Sequence, residues 1–452
     1  MWKEFLNTSK IAGPLIISYV SQIALGLIDS AMIGPIDYRQ LAASSLVINV
    51  LAIPMVLGSG LTMAISPLVA MANGRNDTFK ASRVLFNGFI LSLIAAIIIV
   101  TGIELSSNFL NHLGQDEVVV QFAIPYYRMM AWSMIPMLLF LAAKQFSDGL
   151  EITKTAMLLS LLSLPFNAFL NWIFIYGKLG APRLELLGTG IATLITRVII
   201  ALILITIILK HRVYKQYVAH SKKAWKLHWG TCKELLHIGI PSSLQYGMES
   251  AAFSVSGIMI GWLGATAQAA HQIALNIAST TFMASLGLSL AGSIRVANAF
   301  GRNDQKLVLQ IGKSTILGGL AYGFVCGILF IALQYQLPLL FTRNAEVAAI
   351  ASTLLVLGAF FQISDATQAI GVGLLRGRHD VRMPTLFVAI AYWVIGIPFG
   401  YYLAFTKNMG ASGIWIGFII GLSISSILLN TRFLKSSKAS AAAIAPLLAK
   451  SV

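Results

Sequence analysis

Three carboxylates lie deep inside stretches that are otherwise apolar: Asp29 in GLIDSAMIG, Glu249 within 241–262, and Asp365 in FQISDATQAIGVGLLRG. Each stretch is long and apolar enough to cross a bilayer. A charged carboxylate at the bilayer centre costs about 2.5–3.5 kcal/mol on insertion scales. Each flanking Leu, Ile or Phe returns only about 0.3–0.6 kcal/mol. A chain that keeps such a group either faces it into a wet cavity or titrates it. The chemistry on offer is therefore the binding or exchange of a cation. Around Glu249 the small residues Gly247, Ser250, Ala251, Ser254 and Gly257 suit close packing or a cavity wall better than a lipid face.

The polar residues at matched depth divide by half of the chain. Asn167 and Asn171 are four apart in PFNAFLNWIF, hence on one helix face, and Thr193 lies in the following span. They complete a hydrogen-bonded pocket for Asp29, although each alone also reads as ordinary interhelical glue. These are neutral partners, which gives Asp29 a titratable role. In the second half Asp365 sits among Ser364, Thr367 and Gln368, and Gln272 and Asn276 share one face at the start of another span. Two carboxylates and two amides supply the several oxygen ligands that Na⁺ requires, so Glu249 and Asp365 are read as the cation site. His271 reads as an interface anchor, Arg295 and Lys144 as snorkelling bases, and Asp148 and Glu151 as solvated.

Other chemistry finds no support. No phosphate loop, HExxH, GxSxG or paired Cys/His set appears, which argues against an enzyme, a resident metal or a cofactor. Cys232 and Cys326 have no disulfide or zinc spacing. The net charge of +16 is not gathered into a basic helix interleaved with aromatics, so nucleic acid is an unexpected partner.

The elements that must position these groups are membrane helices. With 57% hydrophobic and 11% charged residues, against about 25% charged in soluble domains, the chain reads as an all-α polytopic membrane protein. Apolar runs predict twelve spans at 12–34, 44–71, 84–104, 122–147, 155–176, 187–209, 237–262, 270–298, 312–334, 347–375, 384–405 and 411–433. The N-terminal run reads as a retained first span, being too long for a signal peptide. With this topology one side receives most of the Lys and Arg, and the other only Arg39, Lys178, Arg183, Arg343 and Lys407. The positive-inside rule then makes both termini cytoplasmic.

An internal repeat runs at a constant offset of 227 residues. Pro14 matches Pro241, Tyr19 matches Tyr246, Met32-Ile33-Gly34 matches Met259-Ile260-Gly261, and Gly74-Arg75-Asn76-Asp77 matches Gly301-Arg302-Asn303-Asp304. The expected organisation is a six-helix lobe over 1–209, a basic cytoplasmic linker over 210–236, and a second six-helix lobe with a basic tail over 237–452. Each half has an even number of spans, so a pseudo-two-fold axis along the membrane normal relates the bundles. A ligand site belongs between them near the midplane. Glu249 aligns with Gln22, and Asp29 with Ser256, so the halves differ in chemistry on one scaffold.

Three motifs carry a family resemblance: GLIDSAMIG, the run AAHQIALNIASTTFMASLGLSLAGSIRVANAFGRND from Ala269 to Asp304, and SDATQAIGVGLLRGRHDVRMP from Ser364 to Pro384. Over essentially the whole chain the sequence resembles the multidrug and toxic compound extrusion (MATE) family, most of all its NorM-like branch. The repeat alone would equally have suited the major facilitator fold. The resemblance implies two six-helix bundles around a cleft that opens alternately to each side, with Na⁺ or H⁺ entry driving export of lipophilic, mainly cationic compounds. It places Asp29 on the family's first-span acid, and Glu249 and Asp365 on the seventh- and tenth-span acids of that branch. Asn167, Asn171 and Gln272 fall on polar positions lining the lobes. Phe361 departs from the family, which commonly has an aromatic hydroxyl there. Phe253, Phe282, Phe360, Phe361 and Trp393 are the expected aromatic lining of the cleft. A monomer in a bacterial inner membrane is expected, and a flippase for lipid-linked or amphiphilic molecules is the alternative.

Overall fold

The structure, a computed structural model, describes residues 1–112 and 116–449, without the side chains of 108 and 440–449. Lys450 of the expected basic tail lies outside the described residues. No strand occurs among the described residues. The long helices are α1 (Trp2–Ile33), α2 (Tyr38–Gly74), α3 (Thr78–Leu105), α4 (Glu117–Gly149), α5 (Thr153–Tyr176), α6 (Glu185–Lys210), α7 (Trp229–Gly261), α8 (Ala265–Gly301), α9 (Gln305–Ala332), α10 (Ala345–Gly377), α11 (Arg382–Thr406) and α12 (Ala411–Ala449). Eleven of them are apolar enough to cross a membrane by length and composition. The twelfth, α7, has the length at 33 residues, but Glu249 and its polar neighbours dilute its hydropathy.

The repeated Gly-Arg-Asn-Asp motif has a local structural cause. Asn76 and Asn303 turn the chain in the left-handed region, at φ 56° and 60°. Asn tolerates that region better than most residues. The following Asp then caps the next helix: Asp77 accepts from the Lys80 amide at 2.8 Å, and Asp304 from the Leu307 amide at 2.9 Å. The pattern makes one tight helix-to-helix turn, used twice.

By contact the chain forms two compact units, Ile17–Ser243 and Met1–Ile16 with Leu244–Val452. Their limits fall inside α1 and α7 at repeat-equivalent positions. Small residues fasten the exchanged ends. A Cβ on Gly60 would stand 2.6 Å from Ser243 Cα within the first unit. In the second unit, Gly287 meets Ile16 at the position 227 residues on. Arg295 holds the N-terminal end of α1 in that unit, pairing with the Glu4 carboxylate and donating to Thr8 Oγ1 at 2.8 Å. Arg295 is therefore ion-paired where the sequence suggested snorkelling, because a base beside packed helices gains more from a fixed carboxylate than from reaching for a distant interface.

In the second unit α10 is the central helix, packed against α8, α9 and α12. Gly373 and Gly377 let it approach the α8 backbone at Ser289 and Ser293, and Gly323 and Gly327 on α9 do the same on another side. Helix α11 is irregular, with π-helical stretches at Ile390–Gly396 and Tyr402–Thr406, and it lies on the α12 glycines Gly413, Gly417 and Gly421.

The segment 210–236 packs onto the first unit. Tyr217 Oη donates to Asn73 Oδ1 at 2.8 Å, Trp225 Nε1 to Ser82 Oγ at 3.2 Å, and the His228 amide to Asn87 Oδ1 at 2.9 Å. Tyr214, Tyr217 and Ala224 are buried, and Lys80 pairs with Glu234 at 2.7 Å. Burial pushes the Tyr214 and Tyr217 phenols up from their ordinary values, so both remain protonated donors at neutral pH.

Candidate functional site

The first-unit group is built from three helices. Asp29 lies one turn before the end of α1 and is 6% exposed. Asn171 Nδ2 on α5 donates to Asp29 Oδ1 at 2.6 Å, and Thr193 Oγ1 on α6 donates to Oδ2 at 3.3 Å. The same Asn171 nitrogen reaches Asn167 Oδ1 at 3.2 Å, tying the four-apart pair on one face of α5. The structure thus brings together Asp29, Asn167, Asn171 and Thr193. Asn171 Oδ1 and Asn167 Nδ2 have no protein partner. The group offers a carboxylate, a free amide carbonyl and a hydroxyl within one pocket, a set able to take up a proton or a hard cation.

Arg197 was not read as part of this pocket. It stands one turn after Thr193 on α6, close enough to act on Asp29 through space, and donates to Ser133 Oγ at 2.6 Å. Its i+4 spacing from Thr193 is the signal that could have placed it.

The second-unit group centres on α7 and α10. Glu249 is half-buried and accepts on Oε1 from Gln368 Nε2 at 2.9 Å and from Gln245 Nε2 at 3.5 Å. Asp365, 5% exposed, lies one turn before Gln368 on α10 and within electrostatic range of Glu249. Tyr392, buried in the first π-helical stretch of α11, is within range of both acids. The amides against Glu249 are thus Gln368 and Gln245. Gln272 and Asn276 bond to each other at 3.1 Å on an exposed face of α8 and make no hydrogen bond to either acid among the described residues. Ser364 and Thr367 also point elsewhere, pairing with Ser423 and Ser426 of α12, each at 2.7 Å.

The aromatic residues separate. Half-buried Phe253 and buried Phe361 join one cluster with the buried Tyr392, Phe418 and Trp415, with centroids 4.9 Å apart for Phe253–Phe418 and 5.5 Å for Phe361–Trp415. Trp415 Nε1 donates to His271 Nδ1 at 3.1 Å, so His271 is a buried core partner and not an interface anchor. Phe360 is 56% exposed, because adjacent helical positions point about 100° apart and Phe361 takes the inward one. Phe282 is partly exposed, and Trp393 is 39% exposed with Nε1 donating to Met248 O at 3.3 Å.

Two further bases sit over repeat-equivalent tyrosines. Lys144 Nζ is 5.2 Å from the Tyr19 ring centroid, and Arg376 Cζ is 5.6 Å from that of Tyr246. Lys144 is 1% exposed and paired at 2.8 Å with the fully buried Asp148, in contrast to the snorkelling base and solvated acid expected. An i,i+4 pair cancels charge inside one helix more cheaply than either group could reach water. Arg376 is instead in electrostatic range of Glu249.

Comparison with known proteins adds to this geometry. The profile of the MatE family matches residues 14–173 and 241–402, two segments that start 227 residues apart. The chain is 34% identical over 438 residues to "Multidrug resistance protein NorM" of Vibrio cholerae serotype O1, covering 95% of each. It is 32% identical over 427 residues to "Multidrug resistance protein MdtK" of Yersinia pseudotuberculosis, covering 93% of each. A crystal structure of MATE in the bent conformation matches with a TM-score of 0.90 at 20% identity, over 97% of this chain and 96% of that one, a likeness of fold.

Proposed function

The chain belongs to the MatE family, and from that premise we propose that it is a cation-coupled multidrug antiporter of a bacterial inner membrane. It exports lipophilic, mainly cationic compounds by alternating access, with Na⁺ or H⁺ entering in exchange. It works as a monomer with both termini cytoplasmic and no resident cofactor. The observation that carries the reading is the Glu249 group. A carboxylate held by two neutral amides, Gln368 and Gln245, has a second acid, Asp365, near it on a neighbouring helix. Two acids at that depth repel each other unless a proton or a metal cation joins them. Na⁺ coordination falls to Glu249, Asp365 and the amide oxygens of Gln368 and Gln245.

In the first unit Asp29 is the titratable group, with Asn171 and Thr193 holding its two oxygens. Protonating or cation-loading these acids removes the charge that holds a cationic ligand, so ion entry releases the drug by competition. Ring faces such as Phe253 and Trp393 add about 0.5–2 kcal/mol per cation contact. The test is efflux of an ethidium-like cation from cells expressing the chain. Export that stops when both the Na⁺ and the H⁺ gradients collapse supports the reading, and export indifferent to both overturns it. The dye is water-soluble, so its accumulation outside also separates export from lipid flipping.

A further inference from the structure

In the second unit the N-terminal end of α1 and the exposed side of α9 enclose a groove of about 220 Å³. Its walls are Met1, Trp2 and Phe5 on α1 with Leu317, Gly318 and Ala321 on α9. Ser314 lines it too, but its hydroxyl donates to Ile311 O at 2.9 Å and adds no free polar group. Packing fixes the groove in place. A Cβ on Gly318 would collide with the Phe5 ring, so glycine is what lets that ring seat against α9. Trp2 lies beside Phe5, with ring centroids 5.8 Å apart, yet is 71% exposed. Arg295 fastens the same end of α1 through Glu4 and Thr8 Oγ1. Charge then changes along one face of α9. Lys306, Gln310, Lys313, Leu317 and Ala321 recur at helical spacing and form a single stripe. The stripe turns from cationic and polar to apolar just inside residue 312, where the sequence places the start of the span. Lys306 is exposed and Lys313 half-buried, and Lys3, next to Trp2 on α1, is exposed. The neighbouring acids are engaged: Glu4 pairs with Arg295, and Asp304 accepts from the Leu307 amide at 2.9 Å. The mouth of the groove is therefore positive.

We propose that this groove binds one anionic phospholipid, with an acyl chain against Trp2, Phe5 and Leu317 and the phosphate at Lys313 and Lys3. The two ends of the stripe match the two ends of such an amphiphile. Basic pockets beside membrane helices bind anionic headgroups, and Trp favours the headgroup level. A zwitterionic lipid fills the apolar part equally well, but it brings an ammonium group up to the same lysines. The bound lipid ties the first turns of α1 to α9 and stabilises the second unit by mass action. This inference requires that α1 and α9 cross a membrane, and it is independent of the drug and ion reading.

The test uses the purified full-length protein in detergent, titrated with phosphatidylglycerol or phosphatidylethanolamine carrying the same dibrominated chains. Bromine quenches nearby indole fluorescence, and the difference between wild type and Trp2→Phe isolates the Trp2 signal. Half-maximal quenching of Trp2 should need about tenfold less phosphatidylglycerol than phosphatidylethanolamine. Lys3→Gln combined with Lys313→Gln should remove that preference, while Lys3→Arg combined with Lys313→Arg keeps it. Ala321→Phe should fill the groove and reduce quenching by both lipids. Phosphatidylglycerol should also raise the thermal unfolding temperature of the wild-type protein more than that of Ala321→Phe. Equal quenching by the two lipids in the wild-type protein overturns the proposal, as does a preference that survives the paired Gln changes. Loss of the preference in the paired Arg variant as well would make the lysines packing residues and overturn it too. Unaltered quenching in Ala321→Phe would put the lipid outside the groove, with the same consequence.

Discussion

Each buried charge takes its role from the groups it touches. Glu249 is held by amides, so Glu249→Gln preserves size and hydrogen bonding while deleting the charge. The expected outcome is a folded protein whose ion-driven export falls to background. Asp29→Asn should impair extrusion and flatten its pH profile, measured as initial efflux rate across pH 5.5–8.5. An unchanged profile would assign Asp29 to structure. The Lys144–Asp148 pair makes the opposite prediction, because it serves stability. Lys144→Met should cost about 3–5 kcal/mol by leaving Asp148 buried and uncompensated. The double change Lys144→Met with Asp148→Leu should recover most of it, read as thermal unfolding in detergent. The acids themselves were readable from sequence, since a carboxylate in an apolar run is expensive wherever it points. Partners were readable when they shared a helix face, as Asn167 and Asn171 do. Gln245, Tyr392 and Arg197 were not, because their direction depends on how helices rotate against one another. Gln272 and Asn276 share a face too, but they spend their bond on each other.

At the scale of elements the number and order of helices followed from hydropathy, and the repeat followed from an offset that no insertion disturbs. The Gly-Arg-Asn-Asp motif was visible as a repeat, and its physical content is a left-handed Asn followed by an N-cap. Asp77→Ala and Asp304→Ala should each cost about 1 kcal/mol of stability with transport retained. Helix ends were less legible. The expected boundaries at 209 and 237 divide the chain by hydropathy, whereas contacts divide it inside α1 and α7, at Ile16 and Ser243. Backbone approach through Gly60 leaves no sequence signal beyond a glycine. Gly60→Val should cost about 1–3 kcal/mol by overpacking, more than Gly13→Val, whose new Cβ would meet nothing within 4 Å. Equal losses at the two sites would mean that helix propensity alone is being measured. Likewise the basic segment 210–236 read as a linker by charge, yet Tyr214, Tyr217 and Trp225 anchor it. Aromatic residues in a basic loop were the available clue.

For the whole molecule the family follows from the motifs and from relatives that align along nearly all of the chain. What export can achieve follows from the charge moved. One inward elementary charge yields about 2.3 kcal/mol per 100 mV, and 1.4 kcal/mol is about tenfold in concentration. Net movement of one charge per cycle therefore sustains about a 40-fold gradient at 100 mV. Exchange of one monovalent drug cation for one Na⁺ or H⁺ is electroneutral and gains nothing from voltage. A voltage effect on such a drug would require more than one ion per cycle.

In the proposed mechanism the Glu249–Asp365 group exchanges a cation for drug. Its most direct test is counter-transport in proteoliposomes loaded with a cationic dye, under an imposed Na⁺ or H⁺ gradient at zero membrane potential. The wild-type protein should move dye against its gradient when one of the two ions is supplied, and Glu249→Gln should move dye only down its own gradient. Uphill transport by Glu249→Gln at the wild-type rate, or no response of the wild-type protein to either ion, would contradict it.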